Sequence, residues 1–101
     1  MDREKNYHYF FRTLANPLRI HLLTELSRES RCVSELAEEM EEDRSRVSHA
    51  LKNLLECNFV TVRKEGRKRV YSINKNTIQP LLEIADEHVR NNCKNCKHAV
   101  K

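Results

Sequence analysis

The stretch Asp43-Arg44-Ser45-Arg46-Val47-Ser48-His49-Ala50-Leu51-Lys52-Asn53-Leu54-Leu55 decides how this chain is read. Val47, Ala50, Leu51, Leu54 and Leu55 recur at the three-and-four spacing of one helical face. That throws Arg44, Ser45, Ser48, His49 and Lys52 onto the other side. Asp43 suits the N-cap, because its carboxylate can accept the free amides of the turn that follows. Asn58 suits a left-handed position just past the end, so the helix is expected to stop near Cys57. The outward face is polar, basic and short-chained.

Upstream, Val33, Leu36, Ala37 and Met40 give a short helix that Glu41 to Asp43 interrupts. Leu18, Leu22, Leu23 and Leu26 form the stripe of a helix over about 17–28, opened by Asn16-Pro17, since proline's fixed φ is allowed in a first turn. Tyr7, Phe10, Phe11 and Leu14 predict a first helix over about 4–14. Downstream, Phe59 to Arg63 and Arg69 to Ile73 are rich in β-branched and aromatic residues. The segment between them, Lys64-Glu65-Gly66-Arg67-Lys68, holds the only glycine, so the pair reads as a β-hairpin. Ile78, Leu81, Leu82, Ala85 and Val89 predict a last helix over about 75–91.

The expected fold is mainly α with a small β-hairpin, a winged helix-turn-helix. Its order is three helices, a recognition helix, two strands and a fifth helix. Residues 1–91 form one DNA-binding and dimerisation domain, and 92–101 a cysteine-containing tail. With 101 residues, 34% charged and 39% hydrophobic, the chain has room for one domain and little material for a deep core. The first and fifth helices carry more apolar surface than such a core can cover, and the excess is assigned to a homodimer interface.

No apolar run approaches the length of a membrane helix, and the charged start is unlike a secretory signal, so no membrane partner and a cytoplasmic location are expected. The net charge of +4 is unevenly spread. Residues 25–42 carry seven acidic and two basic groups, whereas 43–75 carry nine basic and three acidic. A basic block behind an acidic one marks an anion-binding face, against the plainer reading of a solvated charged surface.

Two helices joined by a tight turn and followed by a basic hairpin are the layout in which the second helix enters the major groove and the hairpin tracks phosphates. The expected contacts on double-stranded DNA are Arg44, Ser45, Arg46, Ser48, His49 and Lys52 from the helix, and Arg67, Lys68 and Arg69 from the wing. Arg44 can reach a guanine through two parallel hydrogen bonds, Lys52 can neutralise a phosphate, and the short serines let the backbone approach base edges. His49 has the plainer alternative of a solvated helix residue.

The chain resembles the ArsR/SmtB winged-helix transcriptional repressors. The residues carrying the resemblance are Leu14-Ala15-Asn16-Pro17-Leu18-Arg19, Val47-Ser48-His49-Ala50-Leu51-Lys52, and Val62-Arg63-Lys64-Glu65-Gly66-Arg67. It implies a homodimer built on the first and last helices that represses from a palindromic operator and releases it on binding an inducer. It implies no enzyme activity. In the zinc-sensing branch the last helix carries two ligand pairs; here they read Lys75 and Thr77, then His88 and Asn91, so only His88 remains. Cys32-Val33-Ser34 matches half of the Cys-Val-Cys of the arsenic- and cadmium-sensing branch. Cys57 with Cys93 and Cys96 matches part of a cadmium- and lead-sensing arrangement whose further cysteine is replaced by Asn53.

Cys93-x-x-Cys96-x-His98 is the densest donor cluster, since two thiolates three apart can hold one soft metal. That pair is half a site, to be completed by Cys57, Cys32 or His98 from the same or the other protomer, so the candidate ligands are Cys57, Cys93, Cys96 and Cys32, for cadmium, zinc, lead or arsenic. An iron–sulfur cluster, a structural zinc, a redox disulfide and idle tail thiols stay open as alternatives. From other classes, a thiol–disulfide enzyme would need its cysteine pair at the start of a helix, which is not the pattern here. An interaction module that never touches DNA would show no salt-dependent duplex binding.

Overall fold

A computed structural model describes residues 3–92. The elements run α1 (Arg3–Leu14), α2 (Pro17–Arg28), β1 (Arg31–Cys32), α3 (Val33–Met40), α4 (Arg44–Glu56), β2 (Val60–Glu65), β3 (Lys68–Ile73) and α5 (Ile78–Asn92). The sheet is antiparallel with order β1-β3-β2. This is the winged helix-turn-helix that the apolar spacing predicts.

Each helix start has a local cause. Asn16 caps α2, its side-chain oxygen accepting the Arg19 N–H at 3.0 Å, with Pro17 in the first turn where no amide is needed. Asp43 caps α4, accepting the Arg46 N–H at 3.2 Å. Three residues, Glu41 to Asp43, separate α3 from α4, and Glu41 turns the chain with φ 53° and ψ 49°. At the far end of α4, Asn58 adopts φ 61°, as expected. There the Asn58 N–H donates to the Leu55 carbonyl at 3.0 Å and the Phe59 N–H to Leu54 at 2.9 Å, the two bonds of a Schellman ending.

Three details differ from the sequence expectation. A third strand, β1, lies between α2 and α3, where no strand was expected; Cys32 stands opposite Val70 on β3. The hairpin strands are longer, so that Glu65 pairs with Lys68 and only Gly66 and Arg67 form the turn. Gly66 takes φ +65° at the first of these two positions, the place glycine occupies in a type II′ turn. Finally, α5 begins at Ile78 rather than near 75, because Asn74 holds the connection in place. Its Oδ1 accepts the N–H groups of Asn76 and Thr77 at 2.9 and 3.3 Å. Its Nδ2 donates to the Asn58 carbonyl at 2.8 Å, and its backbone N–H to Phe59 at 2.9 Å.

The core lies between α2, α3, α4 and one face of the sheet. Leu22, Leu23, Leu36, Leu51, Leu54, Val47 and Val60 are fully buried there, and Phe59, Tyr71 and Ile73 pack with them. The outer helices contribute less. In α1 only Leu14 is buried, with Phe10 packed on Phe59 at a ring-centroid distance of 5.2 Å. In α5 only Ile78 is buried. Tyr7 and Phe11 are each 55% exposed and Ile84 is 64% exposed, so the predicted surplus of apolar surface on α1 and α5 is present.

Candidate nucleic-acid interface

The face of α4 that points away from the core is built as the periodicity dictates. Val47, Ala50, Leu51 and Leu54 turn inward, leaving Arg44, Ser45, Arg46, Ser48, His49 and Lys52 exposed on the remaining surface. Among the described residues, Arg44, Lys52 and His49 make no ion pair. Arg46 differs: its Nη1 lies 2.8 Å from Glu42 Oε1 one turn earlier. That exposed pair is worth at most about 1 kcal/mol, so a phosphate can displace it. A shallow groove beside this face is lined by Ser45, Arg46, His49 and Asn53 from α4 and by Asn16 and Arg19 at the start of α2. Arg19 is steadied there by its 3.1 Å hydrogen bond to the Thr13 carbonyl.

The wing extends the same cationic character. Arg67, Lys68 and Arg69 are exposed at the turn and the start of β3, and Arg63 and Lys64 stand on β2. Cross-strand register divides these residues by face. Lys64 stands directly opposite Arg69, in line with the Val62–Tyr71 and Val60–Ile73 pairs that lie on the core side. Arg63 and Lys68 belong to the other face. Arg63 is engaged there, with Nε 2.7 Å from Glu65 and Nη1 3.4 Å from Ser72, which itself bonds Ser30 at 2.6 Å. Lys64 was not among the expected contacts; the loop expected over 64–68 hid the register that places it beside Arg69.

At the start of α3, Glu35 accepts the Cys32 backbone N–H at 3.1 Å. This bond above all, with a second from the Cys32 side chain, holds the Glu35 carboxyl below the usual carboxylate range; desolvation opposes it, and the charges of Lys68 and then Arg31 add lesser amounts. Lys68 itself sits beside the turn at the tip of the wing, opposite Glu65.

The exposed, short-chained and cationic face of α4, flanked by a cationic hairpin, suits a polyanion with a groove. The arsR family of bacterial regulatory proteins matches residues 16–62. Over 90 residues the chain is 33% identical to the transcriptional repressor SmtB homolog of Synechocystis sp., a match spanning 89% of this chain and 68% of that protein. The chain belongs to the ArsR family. It is also 32% identical over 79 residues to the arsenical resistance operon repressor of Bacillus subtilis, covering 77% of this chain and 75% of the relative. Among solved structures, the ArsR-family fold seen here superposes on M. tuberculosis Rv0081 with a TM-score of 0.86 at 30% identity, covering 94% of this chain and 97% of that one. These relatives are regulators, and no helix among the described residues is long and apolar enough to cross a membrane.

The expected thiolate ligands are less fully placed. Cys32 is buried at the junction of β1 and α3, its sulfur 3.3 Å from Ser34 Oγ. Cys57 is exposed just past α4, in a groove shared with Tyr9, Arg12, Thr13, Arg19, Asn53 and Glu56. The Arg12 guanidinium stacks over the Tyr9 ring at 4.9 Å beside it. Cys93 and Cys96, like His98, lie outside the described residues. Among the described residues no three His, Cys, Asp or Glu side chains converge as a metal site. His88 is exposed on α5, with Asn92 donating to its backbone carbonyl at 3.2 Å.

Proposed function

We propose that this ArsR-family chain is a dimeric repressor that grips a palindromic operator with one α4 from each protomer, and lets go when a soft metal or metalloid ion binds cysteine thiolates. The single observation that carries the DNA half is the outward face of α4, where Arg44, Ser45, Ser48, His49 and Lys52 are exposed together and Arg44 and Lys52 have no acidic partner among the described residues. Arg44 reads a base edge, Lys52 and Arg46 meet phosphates, and the wing residues Arg67, Lys68 and Arg69 follow the backbone. Pairing through the exposed aromatic face of α1 and the apolar side of α5 sets the two α4 helices about 34 Å apart, one turn of duplex.

The release half assigns Cys57, Cys93 and Cys96 to the ion, with Cys32 as the further donor. Its support is the exposed position of Cys57 at the end of α4, the three-residue spacing of the tail pair, and the name of the Bacillus relative. Such a site favours a dimer geometry in which the α4 spacing no longer fits. A coupling of about 1 to 3 kcal/mol lowers operator affinity about 5- to 150-fold.

Duplex binding measured against salt tests the first half. Each phosphate contact contributes a slope of about −0.9 in log affinity against log salt, so several contacts give a steep line, and a flat line refutes DNA binding. Arg44→Ala is expected to remove about 1 to 3 kcal/mol of discrimination at one base pair while leaving that slope nearly unchanged. For the second half, Cys93→Ser combined with Cys96→Ser is expected to keep operator binding and abolish release by cadmium or arsenite. Release by peroxide alone, with none by either ion, replaces metal binding with thiol oxidation.

A further inference from the structure

Helix α5 is fastened to the body near its start. Ile78 is its one buried residue, and Leu81 and Leu82 pack partly against the core. Further along, α5 runs beside α2 across an open groove of about 580 Å3. Sites for small organic ligands span about 300 to 1,000 Å3 and are mostly apolar, with a few polar groups that select the occupant. The groove has that make-up. Its floor is Ile20 from α2 with Leu82, Ala85 and Val89 from α5, and Ile20 is left 39% exposed there. Leu82 and Ile84 are two residues apart, hence about 200° apart around the helix. The groove therefore opens on a different side of α5 from Ile84, the residue of that helix with the most exposed apolar side chain.

The polar groups around the floor share one character. Glu83 and Asp86 stand along the α5 side, and no Lys, Arg or His lines the groove. Glu83 makes no ion pair among the described residues. Asp86 lies 3.5 Å from Arg90, an exposed pair weak enough for a second cation to replace. On the α2 side, Thr24 Oγ1 donates to the Ile20 carbonyl at 2.8 Å and Ser27 Oγ to the Thr24 carbonyl at 2.6 Å. A hydroxyl has a single hydrogen, so both oxygens are left as acceptors only. Against two carboxylates and two spent hydroxyls, the Gln79 amide is the one side-chain donor with a free hydrogen. An anion is repelled here, and a cation with an apolar body matches both the floor and the rim.

We infer that the groove between α2 and α5 binds a lipophilic organic cation, an ammonium or phosphonium ion with an apolar body, one to each protomer. The body of the ligand covers Ile20, Leu82 and Val89, and its charge lies against Glu83 and Asp86. The site uses neither the thiols nor the outward face of α4, so it stands or falls apart from the repressor reading. Beyond Leu82 no residue of α5 is buried. A ligand lodged against α2 therefore braces the part of the helix that the fold itself leaves least anchored.

The test uses the full chain, reduced, with tetraphenylphosphonium as the probe and tetraphenylborate, the same shape with the opposite charge, as its control. Calorimetric titration is expected to give saturable phosphonium binding at one per protomer, with a Kd below about 1 mM. The melting temperature is expected to rise with phosphonium concentration, and tetraphenylborate is expected not to displace the probe. Glu83→Gln is expected to weaken binding about fivefold, the worth of one unit charge at contact distance in water. Ile20→Lys changes an exposed position and sets an ammonium inside the groove, so it is expected to weaken binding further still. Cys93→Ser combined with Cys96→Ser is expected to change nothing, which separates this site from the thiolate one. Absence of saturable binding, displacement by tetraphenylborate, or binding that both Glu83→Gln and Ile20→Lys leave intact overturns the inference. A phosphonium affinity that falls as the protein concentration rises marks the groove as the seat of a second copy of the chain and overturns it as well.

Discussion

Replacing Asp43 separates the folding role of the α4 start from its electrostatic one. The Asp43 carboxylate accepts the Arg46 N–H at 3.2 Å, and no other acidic residue occupies the first turn of α4. Asp43→Ala removes the cap, worth about 1 kcal/mol, and with it a favourable charge at the positive helix end, worth about 0.3 to 1 kcal/mol at an exposed site. The total is about 1 to 2 kcal/mol. For a domain of this size each kcal/mol moves the melting point by about 4 to 8 °C, so Asp43→Ala is expected to melt lower by roughly 4 to 15 °C. Asp43→Asn restores the acceptor and loses only the charge, so it is expected to lie much closer to the wild type. Both variants delete the same negative charge at the end of α4 that meets DNA, so both are expected to bind non-specific duplex more tightly, by similar factors. Thermal unfolding by circular dichroism, at one fixed protomer concentration, reads the first effect, and duplex titration reads the second. Equal melting points for the alanine and asparagine variants would refute the capping argument, and weaker duplex binding by both would refute the orientation assigned to α4.

Two further substitutions probe the core and the start of α3. Leu51 is fully buried in the cluster with Leu22, Leu23, Leu36 and Leu54, so Leu51→Ala is expected to cost about 2 to 5 kcal/mol, seen as a lower urea midpoint with an unchanged m-value. Glu35 has a folded-state pKa below its unfolded value, so its charge stabilises the fold above the ordinary carboxylate range and that stability is lost as pH falls through the depressed value. Glu35→Gln is accordingly expected to be less stable than the wild type at neutral pH, with the gap closing on acidification; a gap that stays constant with pH contradicts this.

Much of this fold is legible in the sequence because its signals are local. Leucine spacing in α2 and α4, the caps at Asn16 and Asp43, and the left-handed Asn58 each depend on residues within a few positions of one another. β1 is not legible for the converse reason. Two residues, Arg31 and Cys32, carry no periodicity, and they are a strand only because β3, nearly forty residues later, supplies the partner. The start of α5 moves because the Asn74 side chain competes with the helix for the amides of Asn76 and Thr77. The expected DNA contacts on α4 are all found on its exposed face, since helical period alone decides that. The wing is harder. Whether Lys64 shares a face with Arg69 or with Lys68 depends on a two-residue turn and the register it sets, and a one-residue change in loop length would reverse the answer. The thiol cluster is legible only as spacing, since its tail members lie beyond the described residues.

Asn74 has a consequence for how the helices are joined. One residue, through its side chain and its backbone N–H together, ties the carbonyls after α4, the foot of the hairpin and the first amides before α5 into a single knot. The end of α4 and the start of α5 are therefore held at one position in the chain. Removing that one side chain, as in Asn74→Ala, therefore frees both ends at once.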